Sequence, residues 1–275
     1  MKKIKRLVVA CCVLMPVLAY AGERVPLWPE GKIPDFQPQQ IAAALQEVRK
    51  SGFKAAEHTM PHLDWFDAPA EKNGACMLLI SGGGYKNWCD GWWIDQVAKK
   101  FTELGYVCVS LTYRTPRPQG LPIYQSAWQD GQRAVRLVRQ SAQMRGFDPE
   151  KIGALGFSAG SHLTVLLGTS ALTPAYQAVD ELDQTPCHIN WAVPIYTAYA
   201  LTDGLTGPNT RNGDALDARL SDVFKFDAKT CPMALFHGGT DNYSPNGSTQ
   251  IYRQLRRMKI PAEVHLFADR GHGFM

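Results

Sequence analysis

Residues 153–162 read GALGFSAGSH, an apolar run that passes within a few residues into one with helical spacing, with Ser158 at the junction. A chain that turns this sharply from strand into helix strains the backbone of the central residue. The residues two before and two after it must then lack a Cβ to avoid collision. Gly156 and Gly160 meet that need. The same residues also suit an ordinary helix whose N-cap is a serine. The flanks favour the sharper reading, because an apolar strand precedes the motif and a helical segment follows it.

The segments on either side extend this pattern. ACMLLI (75–80) ends in Gly82-Gly83-Gly84, residues 92–104 have helical spacing up to Gly105, and YVCVSLTY (106–113) is a second apolar strand. From Tyr124 to Met144, Ala127, Trp128, Ala134, Val135, Val138 and Ala142 recur at helical intervals, with Arg and Gln opposite. FDPEKIGALGF supplies a turn and a third strand, SHLTVLLGTS a helix, WAVPIYTAY a fourth strand and PMALFHG a fifth. Residues 246–258 form a further helix and AEVHLFA a sixth strand. Strand and helix alternate throughout, and continuous apolar strands of this kind are buried on both faces of a parallel sheet. The expectation is a doubly wound α/β domain, with residues 198–230 inserted above the sheet as a partial cap. The proline-rich VPLWPEGKIPDFQPQQ is expected to run extended over the surface.

MKKIKRLVVACCVLMPVLAYA, residues 1–21, has a basic start, an apolar middle and a small-residue end, the pattern of a cleavable export signal. Its apolar stretch, broken by Pro16, falls short of the ~20 residues a membrane span needs. The expectation is export to the periplasm or beyond, with residues 22–275 as a single domain and no stable membrane span. Lys2, Lys3, Lys5 and Arg6 fall within the signal, and without them the 29 basic residues reduce to parity with the 25 acidic ones. A chain so balanced lacks the basic surplus of a phosphate-backbone binder, so nucleic acid is not expected as a partner. Arg133, Arg136 and Arg139 read as one solvated helical face. Five cysteines remain, Cys76, Cys89, Cys108, Cys187 and Cys231, without a C-x-x-C spacing. His58 and His62 are four apart, but Pro61 between them spoils the helix that would aim both at one metal. No metal or cofactor is expected.

A serine hydroxyl is a poor nucleophile near neutral pH unless a base takes its proton. Of seven histidines, His162 lies inside the predicted helix facing away from the sheet end, and His265 lies within a strand. His58, His62 and His188 fall in loops far from strand ends, and His237 reads as a structural residue under the next turn. His272 follows the last strand in the loop DRGHGFM, at the carboxyl edge where open α/β sheets bind ligands. Its imidazole needs a carboxylate to fix the tautomer. Asp241, in HGGTDNYSP after the fifth strand, is the first candidate, and Asp203, after the fourth, is the second. Oxyanion donors are expected from the backbone N–H groups of Gly83 and Gly84 in SGGGY, together with Ala159. Tyr85, Trp88 and Trp92 are candidate substrate contacts, since flat indoles such as those of Trp88, Trp92 and Trp93 can stack on sugar rings; core or cap packing is the competing reading.

Taken together, SGGGY, LTYR, DGQRAVRLVRQSAQMRGFDPEKIGALGFSAGSHL, HGGTDNYSP and IPAEVHLFADRGHGF resemble the α/β-hydrolase family of acetyl-xylan and feruloyl-type carbohydrate esterases, over residues 25–275. The resemblance implies a cofactor-free serine esterase that removes acetyl or other short acyl groups from plant polysaccharides or their oligomers. By motif position it implies Ser158 as nucleophile, Asp241 as acid and His272 as base. Ser81 stands where the family shows His or Pro before the glycines, and Ser161 where it shows a second Gly. The family also commonly runs on past the G-H-G-F loop into a final helix, so a chain ending at Met275 is expected to leave apolar sheet surface uncovered and the His272 loop less supported. Amide hydrolysis by a peptidase or formamidase, and carbohydrate binding without turnover, stay open as alternatives.

Overall fold

The structure, a computed structural model, describes residues 22–39, 60–66, 71–89, 91–202 and 218–274. The signal segment 1–21, His58 and Asp203 therefore lie outside the described residues. Eight strands form one sheet: β1 (Arg24–Pro26), β2 (His62–Trp65), β3 (Cys76–Ile80), β4 (Val107–Thr112), β5 (Ile152–Phe157), β6 (Trp191–Ile195), β7 (Met233–Gly238) and β8 (Ala262–Phe267), in the order β1-β2-β4-β3-β5-β6-β7-β8. Strands β3 to β8 pair in parallel, and β1 and β2 add an antiparallel edge. The doubly wound α/β architecture expected from the alternation of elements is the one that forms.

Two apolar faces result from the two-residue period of the strands. Leu78, Ile80, Val109, Leu111 and Ala154 point to one side. There they meet α2 (Gln125–Gln140), α4 (Ala159–Thr169) and α5 (Asn246–Arg257). Met77, Leu79, Cys108, Leu155 and Phe157 point to the other, against Ile94 and Ala98 of α1 (Gly91–Glu103). Helix α4 is predominantly apolar and buried along its whole length, its polar Ser161, His162, Thr164 and Thr169 included, as expected of a helix enclosed on every side. The order of strands reverses at β3, whose neighbours are β4 and β5. Carboxyl ends at such a switch point open a crevice. Here the glycine loop leaves β3 and Ser158 leaves β5.

Several expectations need correction. The segment after residue 22 is not a surface arm: it forms β1 and then buries Leu27 and Trp28, whose indole N–H donates to Asp130 Oδ1 at 2.8 Å. An edge strand tolerates Pro26, which is why a proline-rich stretch could join the sheet. The arginine row is not a solvated face either. Arg133 and Arg139 are buried; Arg133 binds Asp180 through both terminal nitrogens at 2.6 Å, and Arg139 donates to the carbonyls of Pro186 and His188. Partners 47 to 50 residues away supply the hydrogen bonds that make such burial tolerable. The helix expected over 124–144 is interrupted at Ser141, whose hydroxyl donates back to the Leu137 carbonyl at 2.8 Å, and resumes as the single turn α3 (Ala142–Arg145). The fourth strand ends at Ile195, because Tyr196 and Tyr199 turn to left-handed backbone at φ 40° and 56°. A bridge between Leu201 and Leu220 closes the base of the inserted segment.

Candidate active site

Ser158 sits between β5 and α4 with φ 54° and ψ −116°, a conformation that costs about 1–3 kcal/mol for a residue with a side chain. The flanking glycines make it possible. A Cβ on Gly156 would stand 2.3 Å from the Gly160 carbonyl oxygen, and one on Gly160 would stand 2.4 Å from the carbonyl oxygens of Ile80 and Ser81. The elbow is held by the Ser158 N–H donating to the Ile195 carbonyl at 3.1 Å and by the Ser158 carbonyl accepting from His162 N–H.

His272 lies 114 residues further along, and its Nε2 is 2.7 Å from Ser158 Oγ. Its Nδ1 faces both carboxylate oxygens of Asp241, at 3.0 and 2.9 Å. A nitrogen facing a carboxylate carries the proton, which leaves Nε2 to accept from the serine hydroxyl. The loops are stitched together by backbone: Gly239 N–H donates to the Phe267 carbonyl at 2.7 Å and Thr240 N–H to the Arg270 carbonyl at 3.0 Å. Tyr196 and Tyr243 pack their rings 5.0 and 4.8 Å from the His272 ring. Asp241 has no exposed side-chain surface. Burial alone would raise its carboxyl, but hydrogen bonds from His237, His272 and the Tyr243 N–H outweigh it and hold the group at about 2. An ionised carboxylate, an imidazole of set tautomer and a hydroxyl in line can move a proton from serine to histidine.

The glycine loop adjoins the serine: a Cβ on Gly82 would lie 3.0 Å from Ser158 Cβ. Its carbonyls are all engaged. The Gly82 oxygen accepts from Cys89 N–H and the Tyr113 hydroxyl, the Gly83 oxygen from the N–H groups of Lys86 and Asn87, and the Gly84 oxygen from Arg117 Nε and Tyr199. In a trans peptide the N–H points opposite to the C=O, so fixing the Gly82 and Gly83 carbonyls fixes the N–H directions of Gly83 and Gly84. Among the described residues, those two N–H groups and that of Ala159, first in its helix, donate to no protein acceptor. Three such donors beside a serine can stabilise an oxyanion.

Other predicted contacts are placed differently. Tyr85 is 1% exposed; its hydroxyl meets His162 Nδ1 at 2.8 Å and its ring packs on Tyr113 and Tyr199, so it supports the loop from below and offers no substrate surface. Trp88 is half-buried against both core faces, Trp93 is 44% exposed, and the side chain of Trp92 lies outside the described residues. His162 does not face away: it points into a cluster with Tyr85, Tyr124, Tyr199 and Phe224, and burial pushes its imidazole down to about 3. His62 lies in β2, not in a loop, and contacts Asp64. Sequence reasoning did not single out Tyr196, Tyr199, Tyr243 or Arg117. The run YTAY after the fourth strand was the signal for Tyr196 and Tyr199, whereas Tyr243 and Arg117 lie in loops after other strands and carried none.

The BD-FAE family model matches residues 63–255. An acetyl ester-xyloside bifunctional hydrolase from Caldicellulosiruptor lactoaceticus superposes with a TM-score of 0.70 at 25% identity, covering 93% of this chain and 89% of its own. Endo-1,4-beta-xylanase B of Butyrivibrio fibrisolvens is 28% identical over 211 residues, covering 72% of this chain and 32% of the xylanase. The "Probable carboxylic ester hydrolase LipM" of Mycobacterium tuberculosis is 27% identical over 240 residues, covering 75% of this chain and 53% of LipM. The chain thus spans about a third to a half of these two curated relatives.

Proposed function

The chain belongs to the BD-FAE family, and from that premise we propose that it is a serine esterase acting on acetyl or other short acyl esters of plant cell-wall polysaccharides or their oligomers. The observation that carries this reading is the meeting of Ser158, His272 and Asp241 within hydrogen-bond distance at the switch point of the sheet. Ser158 Oγ attacks the ester carbonyl while His272 Nε2 takes its proton. The N–H groups of Gly83, Gly84 and Ala159 stabilise the tetrahedral oxyanion, and the alcohol leaves with the proton returned by His272. Water, deprotonated by the same imidazole, then cleaves the acyl-enzyme to release the acid and restore the serine. Asp241 stabilises the imidazolium in both halves.

Xylan-related and ester-hydrolysing relatives support the substrate class. The exposed indole of Trp93, near the glycine loop in sequence, suits a sugar ring. The basic and apolar start of the chain supports export, where polymeric substrates are met. Acetate release from a panel of acetylated xylan, xylo-oligosaccharides and other acetylated glycans tests the reading, native protein against Ser158→Ala. The variant is expected to lose turnover by about 10⁶-fold. Equal acetate release by the two proteins would refute the assignment.

A further inference from the structure

His237 is the penultimate residue of β7 and is fully buried, yet the reaction above gives it no part. The sequence casts it as packing beneath a turn, and the contacts it makes are more specific. Its Nε2 lies 3.0 Å from the Tyr243 carbonyl oxygen and 3.3 Å from Asp241 Oδ2. Both neighbours only accept, so Nε2 carries a proton and shares it between them. Nδ1 lies 2.8 Å from the hydroxyl of Ser248, in the first turn of α5, and a neutral ring in this tautomer accepts that hydroxyl's proton. The imidazole is thereby fixed at one nitrogen by a helix, with the other nitrogen presented to the buried carboxylate.

We propose that His237 is a positioning residue for Asp241, holding the carboxylate ionised and oriented toward His272; this rests on the serine-esterase reading. Asp241 Oδ1 accepts from the Tyr243 N–H and from His272. Oδ2 has His272 and, behind it, His237. Without the His237 N–H, Oδ2 depends on His272 alone, the ring that must also exchange protons with serine and substrate. A carboxylate so exposed to desolvation, with one oxygen held by a single donor, is drawn toward its protonated form or rotates about Cβ–Cγ. Either change removes the group that sets the His272 tautomer. The Tyr243 carbonyl, gripped by the same N–H, ties this clamp to the tyrosine ring that packs on His272.

Two variants separate positioning from packing. Glutamine places an amide N–H the same number of bonds from the backbone as His237 Nε2. Asparagine reaches only as far as Nδ1, so it keeps a partner for Ser248 and withdraws the donor from Asp241. His237→Asn is expected to lower kcat on p-nitrophenyl acetate about ten- to a hundredfold, with KM within about twofold of native and slower fluorophosphonate labelling of Ser158. His237→Gln is expected to recover most of that loss. Equal kcat in the two variants, a loss confined to KM, or a native kcat in His237→Asn would overturn the proposal. Should the asparagine variant not fold by circular dichroism, Ser248→Ala decides, because it releases Nδ1 from α5 and lets the ring turn its Nε2–H away from Asp241: a several-fold lower kcat at unchanged KM is expected, and a native kcat contradicts the clamp. Ser158→Ala serves as the control in every series; if it retains turnover, the esterase reading itself has failed, whatever His237 does.

Discussion

Two adjacent glycines should respond very differently to the same methyl group. Gly83 has φ +128°, a backbone that side-chain-bearing residues rarely adopt, and a Cβ there would stand 2.0 Å from the Asn87 carbonyl oxygen and 2.7 Å from its carbon. Both obstacles are backbone, so Gly83→Ala must push the loop aside by about 1 Å, a displacement that alone costs on the order of 10² in rate when it separates reacting groups. Losing one oxyanion donor outright costs around 10²–10³ in kcat. At Gly84 the backbone is ordinary left-handed, φ +63°, and the nearest obstacle is the tip of the Tyr199 side chain at 3.2 Å. Strain of about 1–2 kcal/mol is expected there, with the N–H left in place. Steady-state hydrolysis of p-nitrophenyl acetate, with melting temperatures measured alongside, should therefore show kcat falling about 10²–10³-fold for Gly83→Ala and less than about tenfold for Gly84→Ala. Equal losses in two folded variants would refute the assignment of the Gly83 N–H as an oxyanion donor whose place depends on the missing Cβ.

The neutral, buried His162 gives a pH signature. Its ring titrates at about 3 in the folded chain and near 6.5 when unfolded, so between those values the unfolded chain binds the extra proton. The stability it contributes is complete above about pH 6.5 and declines as pH falls toward 3, by a few kcal/mol in all. Melting curves from pH 7 to 4 should lose much of their slope in His162→Gln, and an unaltered slope would contradict the burial argument. Tyr113→Phe removes the hydroxyl that donates to the Ser81 and Gly82 carbonyls at 3.0 and 3.4 Å. Because Cys89 still holds the Gly82 carbonyl, the cost falls mainly on the Ser81 oxygen: about 1–3 kcal/mol of stability, a few degrees in Tm, and less loss of kcat than Gly83→Ala. A melting temperature equal to native would contradict it.

What could be read from the chain, and what could not, divides along a physical line. The elbow was legible because its cause is local: two missing Cβ atoms within five residues state a steric requirement that distances of 2.3 and 2.4 Å then display. The sheet was legible because burial on both faces leaves continuous apolar runs, as in β3, β4 and β5. The polar interior was not legible, because a buried charge is identified by partners remote in sequence. Arg133 looks solvated until Asp180 and Asp183 are seen to reach it, and Trp28 looks like a surface residue until Asp130, 102 residues on, accepts its N–H. The histidines show the same division at the site itself. Position after the last strand singled out His272, whereas position near the end of β7 made His237 look inert, and only the 3.3 Å approach to Asp241 distinguishes the two roles. A carboxylate shared by two imidazoles has a direct consequence for reading chains of this kind. The residue that receives the serine proton is recognisable from its loop, but the one that keeps the acid in register lies a few residues before the acid, near the end of the strand feeding that turn.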